Sequence, residues 1–283
     1  MDMKNLDTRI QTLGEAKIPS PLRGRVKGGY TTRFAKDSDR VVGIMDQETI
    51  LNYIENNIEI PSFELAGPRE KIYFDPNKLK CAIVTCGGLC PGLNDIIRSV
   101  VLELYHCYGV RNIYGIKYGL QGFIPEYGHD VVEFTPHSVA NILDMGGTIL
   151  GSSRGTQNID AVVDCLERMN IGILFMVGGD GTLVAANKIA DEINKRNLKI
   201  SVVVIPKTID NDIYLVSKTF GFDTAVDIAT SAIKGAHNEA EGYPYGVGLI
   251  KLMGRHAGFL AATAALAQQD ANFVLIPEID IDL

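Results

Sequence analysis

ISVVVIPKTIDND, residues 200–212, is an apolar run followed at once by a polar loop. Ile200–Ile205 is rich in Val and Ile, which predicts a buried strand. Thr208, Asp210 and Asp212 follow at alternate positions, so in an extended segment their side chains point the same way. Open α/β sheets bind ligands at the carboxyl ends of their strands. These groups, with the cation of Lys207, therefore predict proton removal from a hydroxyl next to a phosphoryl group.

The same order of strand, glycine-rich turn and helix continues along the chain from Leu79 onward. Strands alternating with helices predict an α/β fold with a doubly wound, Rossmann-like parallel sheet covered on both faces. We expect a nearly complete first domain at 80–214 and a partial second domain at 215–283. The predicted strands are 80–85, 113–116, 171–177, 200–205, 247–253 and 273–276, and the predicted helices are 96–107, 182–194, 224–236 and 259–268.

Residues 1–79 differ from the rest, because they are polar, contain five prolines and show little periodicity. We interpret them as an N-terminal extension that wraps the core, with a short helix between Asp46 and Asn57. At the other end, only Pro277–Leu283 follow the last predicted strand. A doubly wound domain that stops there would leave apolar surface of its sheet uncovered. We therefore expect a chain that is cut short or whose apolar surface is covered by a partner.

Composition narrows the classes of protein. The net charge of −7 and the pI near 5.3 argue against a nucleic-acid or anionic-membrane surface. No apolar run approaches the roughly 18 residues that span a bilayer, and the start has no apolar signal core, so a cytoplasmic protein is expected. Five cysteines, an odd number, favour reduced thiols. Cys86 and Cys90 flank Gly87-Gly88, but their spacing fits no paired zinc pattern, which disfavours a metal-thiolate site.

Glycine-rich loops follow several of the predicted strands. In Gly178–Thr182, glycines let the backbone approach a ligand, and the amides at the start of a helix favour anions. Asp180 would repel a phosphate alone, but it suits a divalent cation that bridges carboxylate and phosphates. The simpler alternative is a tight turn with Asp180 as the helix cap.

Three further turns have the same character, and each could also be structural only. Gly87–Asn94 is a second glycine-rich turn between strand and helix. Gly146–Gly155 places Arg154 among small residues, where it could meet an anion or simply be solvated. At a fourth strand end, Arg255 could stabilise charge on a phosphoryl group, whereas His256 is interpreted as structural.

Asp210 is the candidate general base. An aspartate is a weak base, but phosphoryl transfer is loose and needs only late proton removal. The alternative for residues 210–212 is turn formation and capping. A hydroxyl and a lysine in the same loop make that alternative the weaker one.

Together these loops resemble those of the 6-phosphofructokinase family. Several long motifs in the family's order are far more specific than one glycine loop. The resemblance covers residues 68–283 and is most similar to the ATP-dependent branch with an N-terminal extension that occurs in plants and trypanosomes. The matching segments are Cys86–Asn94, Gly151–Arg154, Gly178–Thr182, Pro206–Asp212, Gly221–Ala225, Met253–Arg255 and Ile276–Glu278.

The resemblance implies a homo-oligomeric, glycolytic kinase, a dimer or tetramer, that uses ATP, Mg²⁺ and fructose 6-phosphate. It implies that Asp180 binds the metal, that Asp210 takes the proton from the 1-hydroxyl, and that Arg255 is catalytic. The implied nucleotide residues are Gly88, Arg154, Gly155, Gly179, Asp180, Gly181 and Thr182. The implied sugar-phosphate residues are Thr208, Ile209, Asp210, Met253, Gly254 and Arg255.

Two residues bear on the identity of the phosphoryl donor, and they favour different donors. Gly181 resembles the ATP users, because pyrophosphate users tend to carry Asp there, whereas Lys207 resembles the pyrophosphate users. We predict ATP, with a pyrophosphate-dependent enzyme as the alternative.

Two departures from the family keep other interpretations open. Gly246 stands where many bacterial members carry an Arg that reaches a neighbouring subunit's sugar phosphate, and the family continues well beyond Leu283. An inactive fragment or a regulatory subunit therefore stays possible. The NAD and diacylglycerol kinases share the Gly-Gly-Asp-Gly-Thr loop but lack the loops at 206–212 and 253–255.

Overall fold

The chain forms two compact units, one of residues 1–79 with Glu103–Arg111 and one of Lys80–Leu102 with Asn112–Leu283. The computed structural model describes residues 7–27, 30–44 and 46–280. Residues 1–6, 28–29, 45 and 281–283 belong to the predicted extension and the predicted last domain, and they lie outside the described residues. The three-part division at residues 79 and 214 stays a prediction.

The described residues of the first unit form short antiparallel strand pairs, an α-helix and a π-helical turn. The helix α1 (Gln47–Glu55) begins after Asp46, whose carboxylate accepts a hydrogen bond from the Thr49 amide at 2.7 Å. The predicted helix between Asp46 and Asn57 is thereby confirmed. A π-helical turn covers Glu103–Tyr108. The strand pairs are β1 (Ile18–Pro19) with β6 (Lys71–Ile72), β2 (Val26–Lys27) with β3 (Tyr30–Thr31), and β4 (Arg40–Val42) with β5 (Ser62–Glu64).

A five-stranded sheet is the centre of the second unit. Its spatial order is β11-β10-β7-β8-β9, and only the edge strand β9 runs antiparallel to its neighbour. The expected α/β fold with a largely parallel sheet is confirmed. The strands are β7 (Lys80–Thr85), β8 (Asn112–Ile116), β9 (Val131–Phe134), β10 (Ile173–Gly178) and β11 (Ser201–Pro206).

Helices cover both faces of this sheet, because alternate strand residues point to opposite sides. On β10, Met176 packs with the residues of α3 and α4, and Val177 packs with Leu93 and Ile96 of α2. No helix in the described ranges is long and apolar enough to cross a membrane. The helices that cover it are α2 (Leu93–Leu102), α3 (Ile159–Arg168) and α4 (Asp180–Lys195), whereas α5 (Phe222–Glu241) and α6 (Phe259–Gln268) pack against each other.

The order of the strands places a crevice between β7 and β10. The chain leaves β7 to add β8 on one side, and it later returns to add β10 on the other side. The loops that follow β7 and β10 therefore diverge at the carboxyl edge of the sheet. Such a switch point is where open α/β sheets bind ligands.

Two predicted strands are wrong, those at 247–253 and 273–276. Both segments are irregular, and Val247 is 89% exposed. A strand needs a neighbour for its backbone hydrogen bonds, and neither segment pairs with another strand among the residues that the structure describes. An apolar, β-branched composition gives a segment the tendency to form a strand but does not supply that neighbour.

Gly221, which precedes α5, has no room for a side chain. Its φ of 98° is unfavourable for other residues, and an added Cβ would overlap the Cys90 sulfur. We expect Gly221→Ala to lower the free energy of unfolding by about 2 to 4 kcal/mol. Gly235→Ala is the matched control, because Gly235 lies within α5 with nothing near its Cβ position. In the control, the free energy of unfolding should rise by about 0.5 to 1 kcal/mol. Denaturant unfolding measures both changes. Equal stabilities of the two variants would contradict the expected clash.

Candidate functional site

A cleft of about 660 Å³ opens at the carboxyl edge of the sheet. It is bounded by the loops after β7, β10 and β11 and by the segment that precedes α6. All of the predicted site residues except Gly254 line it, and Gly254 lies buried between two of them. The predicted residues that line the cleft are Gly88, Arg154, Gly155, Gly179, Asp180, Gly181, Thr182, Thr208, Ile209, Asp210, Met253 and Arg255.

One wall of the cleft is the start of α4. Gly179 is the N-cap and has no side chain to bond the first amides of the helix. These amides, with the positive end of the helix dipole, favour an anion. The Thr182 side chain fills the space beside Gly178, where a Cβ would overlap it. Asp180 is exposed at this helix start, so it can contact a ligand in the cleft.

The loop after β7 forms the floor of the cleft. The Gly87 amide donates to the Ser153 carbonyl at 3.1 Å, and the Ser152 hydroxyl donates to the Gly87 carbonyl at 2.6 Å. Two segments distant in sequence are thus joined side by side. A Cβ on Gly88 would lie 3.2 Å from a guanidinium nitrogen of Arg154. The glycine therefore leaves room for Arg154 at the mouth of the cleft.

Two buried polar residues hold the Met145–Gly151 segment. The Asn94 amide group donates to the Met145 carbonyl and accepts from the Ile149 amide, both at 2.9 Å. The Thr85 hydroxyl donates to the Gly151 carbonyl at 2.7 Å. Asn94 is 1% exposed. These bonds fix an irregular segment just before Arg154, and no local pattern in the sequence indicates them.

The cation of Lys207, which the sequence places in the polar loop, is bonded within the protein. Its side chain borders the cleft, but the residue is only 5% exposed, and its ammonium nitrogen donates to the Gly88 carbonyl at 2.7 Å. Burial lowers the pKa of Lys207. The lysine thus connects the loop after β11 to the loop after β7.

Asp210 and Arg255 meet at the border of the cleft. The Arg255 Nε lies 3.4 Å from one carboxylate oxygen of Asp210, and an Arg255 terminal nitrogen lies 4.0 Å from Asp212. Asp210 is 7% exposed, whereas most of the Arg255 side chain is solvent-accessible. The Asp210 amide also donates to the Thr208 hydroxyl at 3.1 Å. The arrangement presents one oriented carboxylate beside a cation.

Several residues that line the cleft were missed by the sequence analysis. Val184 and Lys188 follow Asp180 at four-residue intervals, so all three lie on one side of α4. That spacing was available in the sequence and could have identified Lys188.

Helix α3 was also missed, although Asn158 caps it and Val162, Val163 and Leu166 mark its buried face.

Gly246, the position at which many bacterial members of the family carry an Arg, lies beside the end of α5. A Cβ there would overlap the Ala240 carbonyl oxygen. The local packing therefore excludes a larger residue in this conformation. The expected difference from those members at this position has a steric basis within the second unit.

The cysteines around the cleft have the character of packed thiols. Burial raises the pKa of Cys86 to about 12 and that of Cys90 to about 11. Within the described ranges, no three His, Cys, Asp or Glu side chains are grouped to hold a metal. A single carboxylate such as Asp180 still suits Mg²⁺, which is usually held by one or two carboxylates with phosphates and water.

The chain matches the family model described as Phosphofructokinase over residues 80–283. It is 50% identical over 281 residues to a Borreliella burgdorferi protein named ATP-dependent 6-phosphofructokinase, covering 99% of this chain and 62% of the relative. It is 47% identical over 276 residues to a Trypanosoma cruzi protein of the same name, covering 96% and 56%. The chain thus spans little more than half the length of these curated relatives.

A solved structure shows the same fold. The crystal structure of Pichia pastoris phosphofructokinase in the T-state aligns with a TM-score of 0.63 at 22% identity, covering 74% of this chain and 22% of the other. Identity at this level supports the architecture only.

Proposed function

The chain belongs to the phosphofructokinase family, and we propose that the protein transfers the terminal phosphoryl group of ATP to the 1-hydroxyl of fructose 6-phosphate. The products would be fructose 1,6-bisphosphate and ADP, a step of glycolysis. The names of the relatives from Borreliella burgdorferi and Trypanosoma cruzi support this reaction and donor.

One observation carries the proposal. A helix start that suits phosphate and a carboxylate that suits a base face the same cleft of about 660 Å³. The backbone amides at Gly179–Thr182 would bind the donor phosphates. The Asp210 carboxylate and the Arg255 Nε, which are 3.4 Å apart, would both lie beside the acceptor hydroxyl.

In the proposed reaction, the 1-hydroxyl oxygen forms a bond to the γ-phosphorus while the bond from that phosphorus to the bridging oxygen of ADP breaks. Asp210 accepts the hydroxyl proton late in the step, since the transition state is loose. Arg255 and Arg154 stabilise negative charge on the transferring group and on the donor phosphates. Thr208, Ile209, Met253 and Gly254 shape the sugar-phosphate side.

Magnesium fits the nucleotide side of the proposed site. Asp180 is an exposed carboxylate at the start of α4, and it would hold the ion together with the donor phosphates. A bound Mg²⁺ would neutralise part of the phosphate charge. Asp180 would orient the donor only together with the ion, since its carboxylate alone would repel the phosphates.

Pyrophosphate is the second candidate donor, and Lys207 is the residue that favours it. The ammonium group borders the cleft, but it already donates to the Gly88 carbonyl. Gly181 favours ATP, because its Cβ position is open and leaves the start of α4 free for the nucleotide. The balance of these two residues supports ATP.

The donor assay is the direct test of the proposed function. We expect fructose 6-phosphate-dependent release of ADP by the protein at its full natural length, with kcat/KM for ATP well above that for pyrophosphate. A clear preference for pyrophosphate would reverse the donor assignment. Absence of turnover with both ATP and pyrophosphate would reject the proposed kinase.

Gly181→Asp provides a matched variant for this assay. Nothing lies within 4 Å of an added Cβ at Gly181, so the fold should tolerate the change. The new carboxylate would repel the donor phosphates at the start of α4. We expect an increase in KM for ATP with unchanged thermal stability, and an unchanged KM would show that the donor lies elsewhere.

The proposed kinase would act in the cytoplasm as a homo-oligomer, a dimer or tetramer. We expect no nucleic-acid or membrane partner, since the net charge is −7. Analytical ultracentrifugation of the purified protein tests the oligomer, and sedimentation as a monomer at micromolar concentration would reject it.

A further inference from the structure

We infer that the Thr219 hydroxyl positions the catalytic loop, so that Thr219 sets the turnover of the proposed kinase without touching its substrates. The inference rests on the proposed function, in which Asp210 is the base. Thr219 is 3% exposed and does not line the cleft. Its side chain contacts the loop from outside the cleft.

The first support is a hydrogen bond between two distant segments. The Thr219 hydroxyl donates to the Thr208 carbonyl at 2.7 Å. The next link is the Thr208 hydroxyl, which accepts from the Asp210 amide at 3.1 Å. Thr219 therefore holds the peptide group that immediately follows Thr208, and Thr208 holds the backbone of the base.

The second support is a strained residue in the same loop. Asn211 has a φ of 52°, in the left-handed region. Its side-chain oxygen accepts from the Thr219 amide at 2.9 Å, and its amide group donates to the Ser217 carbonyl at 3.3 Å. An unfavourable conformation persists where surrounding bonds fix it. Thr219 provides one of those bonds next to Asp210.

The third support is the firm attachment of the segment that carries Thr219. The Phe220 amide donates to the Pro206 carbonyl at 3.1 Å, and the Cys90 thiol lies 3.2 Å from the Phe220 carbonyl oxygen. Residues 219–220 therefore lie against both ends of the polar loop. A donor on a fixed segment holds its acceptor in place, whereas a donor on a loose segment would move with it.

The expected consequence concerns turnover rather than donor binding. Misplacing a reacting group by about 1 Å can lower the rate up to roughly a hundredfold. Thr219→Val keeps the shape and removes the donor, so kcat should fall roughly ten- to a hundredfold. KM for ATP should be unchanged, because in the described ranges the Thr219 hydroxyl bonds to Thr208 and Asn211 and not to the nucleotide loops at Gly88, Arg154 and Gly179–Thr182. Thr219→Ser keeps the hydroxyl and should restore most of kcat.

The experiment compares these variants by steady-state kinetics and by amide hydrogen exchange of residues 206–212. Thr219→Val should accelerate exchange in this loop alone, and Thr219→Ser should leave it protected. Thr230→Val is the matched control, because the Thr230 hydroxyl also donates to a backbone carbonyl, that of Asp227 within α5. The control should change neither kcat nor exchange in the loop.

Unchanged kcat and exchange in Thr219→Val would overturn the inference. If Thr219→Val does not fold, Thr219→Ser and Thr219→Ala decide the question, since they differ only in the hydroxyl. Equal kcat and equal exchange in that pair would also overturn it. A wild-type protein without turnover would reject the proposed function alone, because the exchange measurement still tests the role of Thr219.

Discussion

Asp210→Asn should lower kcat by roughly a thousandfold, within the range of general-base contributions. The amide has nearly the shape of the carboxylate but cannot accept the hydroxyl proton. The Asn side chain can still lie beside Arg255, and the backbone amide of residue 210 can still donate to the Thr208 hydroxyl. KM for both substrates should therefore change little. Steady-state kinetics with ATP and fructose 6-phosphate measure the effect.

Two comparisons make this result specific to the base. Asp212→Asn changes a neighbouring carboxylate that lies farther from Arg255, at 4.0 Å, and its effect on kcat should be smaller. Asp227→Asn, on the exposed side of α5, is the control for charge alone, and it should leave kcat and KM unchanged. An Asp210→Asn enzyme that keeps kcat within tenfold of the wild type would exclude Asp210 as the base. In that case the proton would pass directly to solvent or to a phosphate oxygen.

Asp180→Asn should lower kcat/KM for ATP by about a hundredfold, since electrostatic groups at phosphoryl transfer sites contribute several kcal/mol. The change removes the charge that would help to hold Mg²⁺ at the start of α4. The concentration of Mg²⁺ needed for half-maximal velocity should rise. Asp180 is the exposed first residue of α4, after the Gly179 N-cap, so loss of its charge should lower the free energy of unfolding by at most about 1 kcal/mol.

A binding measurement separates this prediction from catalysis. Calorimetric titration with ATP should show affinity that depends on Mg²⁺ in the wild type and much less dependence in Asp180→Asn. Asp191→Asn is the matched control, because Asp191 lies on the same helix, exposed and away from the cleft. Full magnesium dependence in Asp180→Asn would place the ion on other ligands.

The sequence was a good guide to residues that follow strands. Thr208 and Asp210 face the cleft because they extend directly from β11, where an apolar run defines both the strand and its end. The run is half-buried rather than buried as predicted, because β11 is an edge strand of the sheet. The same reasoning located Gly179–Thr182 after β10. Local patterns suffice at these positions, since the direction of a strand end follows from the strand itself.

Sequence reasoning failed where the deciding partner is distant along the chain. Asn94 bonds residues 51 and 55 positions away, and Thr219 bonds Thr208 across an irregular segment. For Lys207, no local pattern indicates that its ammonium group meets the Gly88 carbonyl. The segments at 247–253 and 273–276 have strand composition but no pairing strand among the described residues.

The bonds of Asn94 and Thr85 have a thermodynamic consequence for ligand affinity. They divide the irregular Met145–Gly151 segment into spans of only a few residues, so its backbone loses its conformational freedom when the protein folds. In the proposed site, a nucleotide that binds at Arg154 would then have little chain entropy left to remove. Binding energy that would otherwise offset the ordering of a loop is retained as affinity.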